Sequence, residues 1–161
     1  MRSLTQEFID LLNVKQLDSY LFQGQNTQLF GSHLMGGQLV AQALIAASKT
    51  TDRPAHSLHA YFIRSGRTDL PILFKVENLR DGKSFTTRQV NAWQAGHIIF
   101  SAMISFALIE TGLNNHIEAP DYPLPDHLLS EQQHKQLIYK DVPKAAQDMF
   151  MRQFFVKVHP V

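Results

Sequence analysis

One segment constrains the fold of this chain more than any other: the stretch Gly31–Lys49, in which Gly36 and Gly37 precede a run of alanines and larger apolar residues. The run consists of good helix formers and has no broad polar face, which is typical of a helix buried on all sides. It is too short to cross a bilayer. The many alanines would let a surrounding sheet approach the helix closely.

Four segments after this helix have the alternation or the β-branched and aromatic content of strands. They are His56–Arg64, Pro71–Leu79, Ser84–Gln94 and Ile98–Ile109. Short turns, built on Arg80–Lys83 and Ala95–His97, predict that the last three strands form an antiparallel meander. No other helix is as hydrophobic, so we expect an α+β fold in which one curved antiparallel sheet wraps around this helix.

Alternation also assigns side chains to faces within these strands. Within each strand, one face is predicted to carry Leu58, Ala60 and Phe62 in the first, Ile72, Phe74 and Val76 in the second, and Ile98, Phe100, Ala102, Ile104, Phe106 and Leu108 in the last.

Two elements are predicted before the glycine pair. Leu4–Leu12 has helical spacing of apolar residues, and Ser3 with Gln6 has the spacing of a capping box. Asp18–Gln23 reads as a single strand that ends at Gly24.

The C-terminal part has a different character. Ala119–Pro125 is rich in proline and predicts an extended linker. Asp126 could cap a helix that runs to about Tyr139, and Pro143 could open another that runs to about Arg152. Phe154–Val158 alternates like a strand. On pattern alone this strand either joins the first sheet or opens a second domain.

Composition excludes several classes of function. The 161 residues include 15 Lys plus Arg and 14 Asp plus Glu, and this near-neutral balance gives no electrostatic footprint for nucleic acid. The sequence contains no cysteine, which excludes a disulfide framework, a thiolate zinc site and a cysteine nucleophile. No apolar run is long enough to cross a membrane, and Glu7 and Asp10 interrupt the N-terminal apolar stretch. We therefore expect a soluble, cytoplasmic protein.

The glycine pair suggests chemistry at the start of the helix. A phosphate loop is excluded because Gly37 and Gln38 occupy its lysine and hydroxyl positions. Free backbone amides at a helix start can hold a carbonyl oxygen or an oxyanion. Alternatively, the glycines only permit close packing. Gln38 and Gln42 lie one turn apart and could reach a bound polar group or satisfy backbone groups.

Other catalytic arrangements find little support. His56 and His59 are three residues apart on a predicted strand, so their rings should point to opposite faces, and we expect no metal site. The G-x-S-x-G signature of a serine nucleophile is absent. No Asp or Glu occurs between Gly31 and Thr51, so the buried helix offers no carboxylate general base.

Four motifs, in order and at similar spacing, resemble the N-terminal repeat of the acyl-CoA thioesterase II family. They are Leu21–Gly24, Gly36–Leu44, His56–Arg64 and Leu79–Phe85. The resemblance extends from about Leu11 to about Phe106. It implies the hotdog fold, a long helix wrapped by an antiparallel sheet, in agreement with the pattern of the residues.

The resemblance also implies a reaction, the hydrolysis of fatty acyl-CoA to free fatty acid and coenzyme A without a metal or organic cofactor. Members of the family carry two fused hotdog repeats, and their catalytic Asp, Thr and Gln belong to the second repeat. We therefore expect residues 1–112 to form the N-terminal hotdog domain. Residues 113–161 would be linker, helices and the first strand of a second repeat, so that this chain contains none of the three catalytic residues.

Several residues match the family's motifs and are expected to bind substrate: Gly36, Gly37, Gln38, His56, Arg80, Asp81, Ser84 and Phe85. Gly37 and Gln38 would line the acyl or thioester site. His56 would border the pocket or be structural, and Asp81 would shape its turn. The expected partners are acyl-CoA and a second hotdog unit, supplied by another copy or by a second repeat.

Two other functions remain open from the sequence. The chain could be a non-catalytic hotdog module that dimerises or pairs with a separate second half. A hotdog dehydratase or hydratase is disfavoured, because it needs a histidine and a carboxylate at the helix or its approach, and this helix has neither.

Overall fold

The computed structural model describes residues 4–28, 31–151 and 158–160. The chain divides into two compact units, Met1–Thr111 and Gly112–Val161. The first unit holds the elements of the predicted sheet and buried helix. In chain order they are α1 (Leu4–Leu12), β1 (Val14–Asp18), β2 (Leu21–Gly24), α2 (Gly36–Ser48), β3 (Ala55–Phe62), β4 (Ile72–Asp81), β5 (Phe85–Gln94) and β6 (His97–Ala107).

The six strands form one antiparallel sheet in the order β1-β2-β4-β5-β6-β3. The predicted meander of β4, β5 and β6 is confirmed, with Val76 opposite Val90 and Val90 opposite Ala102. β1 and β3 lie at the two edges, so each has one side without a neighbouring strand in the part of the chain that the structure describes.

The core lies between α2 and one face of the sheet. Leu39, Ala43, Ala46 and Ala47 of α2 are buried against the apolar residues of that face. The sheet residues of this core are Phe22, Ile72, Phe74, Val76, Val90, Ala92, Ile99, Phe100, Ala102, Ile104 and Phe106. A curved antiparallel sheet wrapped around a helix is therefore confirmed.

Burial of α2 differs from the prediction in one respect. Val40, Leu44 and Ile45 are only partly buried, so the helix is not enclosed on all sides by the first unit. The sheet covers one side of α2, and the side with these three residues keeps apolar surface open.

The predicted single strand Asp18–Gln23 is wrong. β1 ends at Asp18 and β2 begins at Leu21, with a turn between them. The Asp18 carboxylate accepts a hydrogen bond from the Ser19 backbone N–H at 2.7 Å. Such local bonding by an aspartate favours a turn over a continuous strand.

The inward face of β6 also differs from simple alternation. The pairing of β5 with β6 is irregular between Ala92 and Trp93, and Ile99 and Phe100 are both buried. One extra residue in a strand shifts the alternation that follows it, so Ile99, and not the predicted Ile98, is buried together with Phe100. β6 ends at Ala107, and Leu108 is 49% exposed.

The second unit contains a long stretch without helix or strand, through Leu124, followed by short helices. These are the 3₁₀ helices Pro125–His127, Tyr139–Asp141 and Lys144–Ala146, and the α-helices α3 (Glu131–Ile138) and α4 (Gln147–Phe150). Ser130, not Asp126, caps α3, because Ser130 and Gln133 form a reciprocal capping box. The helix predicted from Pro143 begins as a 3₁₀ turn and is α-helical only from Gln147.

Two predictions concern residues outside the described ranges: the capping role of Ser3 and most of the predicted strand Phe154–Val158. No helix in the described ranges has the length and apolar character to span a membrane.

Candidate functional site

The first backbone N–H groups of α2 have no side-chain cap. Met35 precedes the helix in an extended conformation, and no side chain caps this end. The amides of Gly36 and Gly37 belong to the first turn, where N–H groups have no acceptor within the helix. A groove of about 280 Å³ lies beside them, lined by Leu34, Gly36, Leu39 and the segment Phe62–Gly66.

Close packing explains the first of the two glycines. A Cβ at Gly36 would lie 3.1 Å from the Phe62 ring, which is tighter than an ordinary contact. A Cβ at Gly37 would meet only the end of the Met35 side chain, at 3.9 Å. The Phe62 ring at the end of β3 thus rests against the start of α2, whereas Gly37 is exposed.

Gln38 lies in the core and not in the groove. It is 1% exposed, and its Nε2 donates to the carbonyl oxygen of Gln25 at 2.8 Å. Gln42 is fully buried and donates to the same oxygen at 2.8 Å and to the carbonyl oxygen of Leu11 at 2.7 Å. Of the two alternatives for these glutamines, the structure shows the one in which they satisfy backbone groups.

A second group of predicted residues lies where β3 begins and where β4 turns into β5. The His56 ring packs on the Phe85 ring, with centroids 5.6 Å apart, and His56 Nε2 lies 2.8 Å from Ser105 Oγ. The hairpin turn closes through a bond from the Gly82 N–H to the Phe85 carbonyl oxygen. Ser84 accepts a hydrogen bond at its carbonyl oxygen from the Leu108 N–H.

His56 does not follow the alternation used to predict its direction. The pairing of β3 with β6 is irregular between Ala55 and Ser57, and His56 bonds to Ser105, the residue that pairs with Ser57. The prediction that His56 and His59 point to opposite faces therefore does not hold at this bulge. Within the described ranges, no group of three or more His, Asp or Glu residues is placed to hold a metal ion.

Arg88 organises the inner side of the same hairpin. It is 2% exposed and donates from Nη1 to the Asp81 carboxylate at 2.8 Å and to Asn78 Oδ1 at 2.7 Å. Its Nη2 donates to the carbonyl oxygen of Thr50, just after α2, at 3.1 Å. This guanidinium ties the hairpin to the C-terminal end of α2.

Charge and hydrogen bonding set the protonation of Asp81. The hydrogen bond from Arg88 is the largest cause that holds the pKa of the Asp81 carboxyl below its usual range, followed by a hydrogen bond from Asn78. Asp81 is therefore an anion over the physiological range, with its charge matched by Arg88.

Arg88 and Arg53 also hold this hairpin in place, and neither was among the site residues predicted from the sequence. Arg53 donates to the carbonyl oxygen of Lys83 at 2.9 Å and to Thr86 Oγ1 at 3.0 Å. A signal for Arg88 was present, since alternation places it inward between Thr86 and Val90. A charged residue at an inward position predicts a dedicated set of partners.

The predicted site residues thus fall into two groups at opposite ends of α2. Gly36, Gly37 and Gln38 lie at its start, and the hairpin group lies near its end, where Arg88 contacts Thr50. A helix of 13 residues is about 20 Å long. Within one copy of this unit, the structure does not bring the two groups together.

Comparison with known proteins supplies the family. The family model described as the acyl-CoA thioesterase N-terminal domain matches residues 25–107, which include α2 and strands β3 to β6. The chain belongs to this family. The predicted resemblance to the family is confirmed. The matched residues include both groups of predicted site residues, the one at the start of α2 and the one at the hairpin.

Individual relatives of this chain support the same family assignment. Human acyl-coenzyme A thioesterase 8 is 42% identical over 122 residues, which cover 74% of this chain and 38% of the human protein. Acyl-CoA thioesterase 2 of Haemophilus influenzae is 32% identical over 152 residues, covering 93% of this chain and 53% of that protein. The solved structure of the tesB protein of Mycobacterium avium subspecies paratuberculosis has 34% identity and a TM-score of 0.72, and covers 77% of this chain and 50% of that chain. The chain therefore spans about half the length of these relatives, or less.

Proposed function

We propose that this chain is the N-terminal hotdog half of a fatty acyl-CoA thioesterase, which binds acyl-CoA and hydrolyses it only when a second hotdog unit completes the site. The observation that carries the proposal is the family match over residues 25–107, in a chain that spans 38% to 53% of the two named thioesterases.

The free edge of β3 supports the need for a second unit. Tyr61 and Phe62 are 65% and 60% exposed there, and a strand edge of eight residues without a neighbour among the described strands is a ready template for another strand. The partly open residues Leu44 and Ile45 of α2 and Leu58 of β3 add apolar surface that a second unit could cover.

Antiparallel pairing of two β3 edges would also bring the separated groups together. Across a two-fold axis, the start of one strand lies opposite the end of the other. The end of β3 that carries His56 would then lie opposite the end that carries Phe62 in its neighbour, and Phe62 rests against Gly36 at the start of that neighbour's α2. A complete site would contain the helix start of one unit and the hairpin group of the other.

This chain is assigned one part of the reaction, the stabilisation of the oxyanion. In hydrolysis, water adds to the thioester carbonyl, the carbon–sulfur bond breaks, and the sulfur leaves with a proton as the thiol of coenzyme A. The first-turn amides of Gly36 and Gly37 are suited to stabilise the oxyanion that forms on the carbonyl oxygen. The group that activates water is assigned to the second repeat, as the resemblance to the family implies, and the absence of Asp and Glu between Gly31 and Thr51 is consistent with this.

A non-catalytic acyl-CoA-binding module is the second candidate, and the same lack of a carboxylate near the helix start favours it. Purified chain mixed with acyl-CoA separates the possibilities by two readouts, ligand binding and release of free thiol. The proposed function predicts saturable binding without thiol release by the chain alone, and thiol release when a second repeat is joined to it. A module of the second kind would bind and stay inactive in both forms.

Thiol release by the chain alone that is abolished by His56→Ala would overturn the proposal, because it would place a complete site within one repeat. Absence of acyl-CoA binding in every form would overturn both candidates.

A further inference from the structure

An apolar groove of about 510 Å³ lies on the face of the sheet that is turned away from α2. In β4, Ile72 and Phe74 are buried in the core that the sheet forms with α2, so Leu73, which alternates with them, lies on the opposite face. Leu73 and Trp93 both line the groove. Trp93 lies eight residues along β5 from Phe85, or about 27 Å, so the groove is separate from both groups of predicted site residues.

Neighbouring residues on three strands build the floor of the groove. Leu73 is paired with Trp93 of β5 on one side and with Gln23 of β2 on the other, and Leu21 is paired with Lys75. Paired residues on one face of a sheet bring their side chains within reach of each other. Leu21, Leu73 and Trp93 therefore form a continuous apolar floor, with Lys75 at one end.

The other end of the groove is closed by Leu70 and Pro71, which precede β4, and by Ala95 and Gly96, which form the turn after β5. Ala95 has a φ of 47°, in the left-handed region that favours glycine or asparagine. The alanine adds apolar lining at a position where its backbone is strained. From Pro71 to Lys75 the chain advances about 13 Å, which matches an extended acyl chain of about ten carbons.

Two hydrogen-bond donors accompany this apolar floor. The Lys75 side chain is 60% exposed, and its Nζ lies 3.6 Å from the Glu77 carboxylate. Because an exposed ion pair at that distance contributes little, Lys75 can exchange this partner for another anion. The indole N–H of Trp93 has no hydrogen-bond acceptor among the described residues. A carboxylate accepts hydrogen bonds from both kinds of donor.

The size of the groove favours a small molecule over a protein partner. A stable protein interface buries at least about 1,000 Å² in total. The apolar floor is only a few side chains wide, and polar Gln23 and Asn91 lie beside it, paired with Leu73 and Lys75 respectively. Grooves of about 300–1,000 Å³ with an apolar lining and a few polar groups are typical of small-ligand sites.

We infer that this groove binds a fatty acid, with the acyl chain on Leu21, Leu73 and Trp93 and the carboxylate at Lys75. The inference goes beyond the proposed function and does not depend on it, because the groove lies on the other face of the sheet from α2. The ligand belongs to the chemical class that hydrolysis of a fatty acyl-CoA releases, so the groove would hold such a product away from the reacting thioester.

Trp93 is the single tryptophan of the chain, so its fluorescence reports on the groove directly. The probe is undecanoate with a terminal bromine atom, which quenches an indole only at short range, used below the concentration at which it forms micelles. We expect saturable quenching by this acid and recovery of the fluorescence when undecanoate without bromine is added. The alcohol of the same length, with the same terminal bromine, serves as the uncharged probe.

Two substitutions separate the apolar floor from the charge. Leu73→Ser should weaken binding of the acid and of the alcohol by about tenfold, because both lose the same apolar contact. Lys75→Met keeps the apolar stem and should weaken only the acid, by about fivefold. The matched controls are Leu79→Ser, at an exposed residue of β4 outside the groove, and Lys49→Met, at an exposed residue at the end of α2. Both controls should leave the two affinities unchanged.

Three results would overturn the inference. The first is a wild-type chain that shows no saturable quenching by the brominated acid. The second is equal affinity for acid and alcohol that Lys75→Met does not change, because the groove would then accept any apolar chain. The third is quenching that disappears as the protein concentration rises, which would assign the groove to a second copy of the chain. Acyl-CoA binding and thiol release are measured separately, so none of these results decides the proposed function.

Discussion

The buried guanidinium of Arg88 donates to the partly exposed carboxylate of Asp81 at 2.8 Å, and with its other nitrogens it holds the hydroxyl and carbonyl oxygens of Thr50. One side chain therefore joins the β4–β5 hairpin to the segment that follows α2. Because the sheet and the helix are linked at this point by hydrogen bonds and not only by apolar packing, the position of the hairpin depends on Arg88.

Replacement of Arg88 by methionine should lower the free energy of unfolding by about 2–3 kcal/mol, because Thr50 and Asn78 lose the partly buried hydrogen bonds that the guanidinium donates, while the Asp81 carboxylate can return to water. Urea denaturation of the variant checks this value. Arg67→Met is the control, since Arg67 pairs with Asp69 on the surface and its loss should leave the midpoint almost unchanged. Equal midpoints for the two variants would contradict the role of Arg88.

Stability should depend on pH through Asp81. Its folded pKa lies below its usual value because Arg88 and then Asn78 donate to the carboxylate. As pH falls, the unfolded chain takes up the proton first, near the ordinary aspartate pKa of about 3.9. The contribution of Asp81 is thus complete above that pH and is lost as pH falls through the folded pKa.

The variant Asp81→Asn isolates this effect. The difference in unfolding midpoint between wild type and Asp81→Asn should be largest at neutral pH and shrink below about pH 4. Asp69, whose pKa is also lowered, by its hydrogen bond from Arg67, is present in both proteins, so it cancels. A difference that stays constant down to pH 3 would show that the charge of Asp81 is not stabilised by Arg88.

The two buried glutamines should differ in importance. Gln42→Leu should cost about 2 kcal/mol, since it leaves the buried Leu11 carbonyl oxygen without its donor. Gln38→Leu should cost less than about 1 kcal/mol, because Gln42 still donates to the carbonyl oxygen of Gln25 and no other acceptor loses a bond from Gln38. Both substitutions remove a buried side-chain oxygen that has no partner in the described structure, so that contribution is common to the two variants. Urea midpoints of the two variants give the order, and a larger loss for Gln38→Leu would contradict this account.

Regular alternation was sufficient to predict much of this fold. It placed Ile72, Phe74 and Val76 on one face of their strand, and all three are buried. It failed at Ile99 and at His56, because a bulge shifts the alternation without leaving a clear mark in the local sequence.

The candidate site was harder to predict for a different reason. The glycine pair of α2 and the hairpin residues both lie in the stretch that the family model matches, but their distance from each other is a property of the folded chain. Arg88 likewise finds a partner in Thr50, far away in sequence. Local patterns contain no information about such contacts, so the division of the predicted site between two ends of a helix emerged only from the structure.

Association through β3 is open to direct measurement. The chain should self-associate as its concentration rises in sedimentation velocity, and Phe62→Lys should shift it toward monomer by placing a charged side chain at the pairing edge. Leu73→Lys is the matched control, since Leu73 is exposed on β4, which has neighbours on both sides. Equal effects of the two substitutions, or a wild-type monomer at all concentrations, would contradict pairing through β3.

The most direct test of the central claim is the release of free thiol from a fatty acyl-CoA by two proteins measured side by side. One is this chain alone, and the other is this chain joined to the C-terminal part of the Haemophilus influenzae acyl-CoA thioesterase 2 that lies beyond the region of similarity. The account predicts that the chain alone binds acyl-CoA without releasing thiol, whereas the joined protein releases it. Equal rates of thiol release from the two proteins would contradict the claim that a second repeat completes the site.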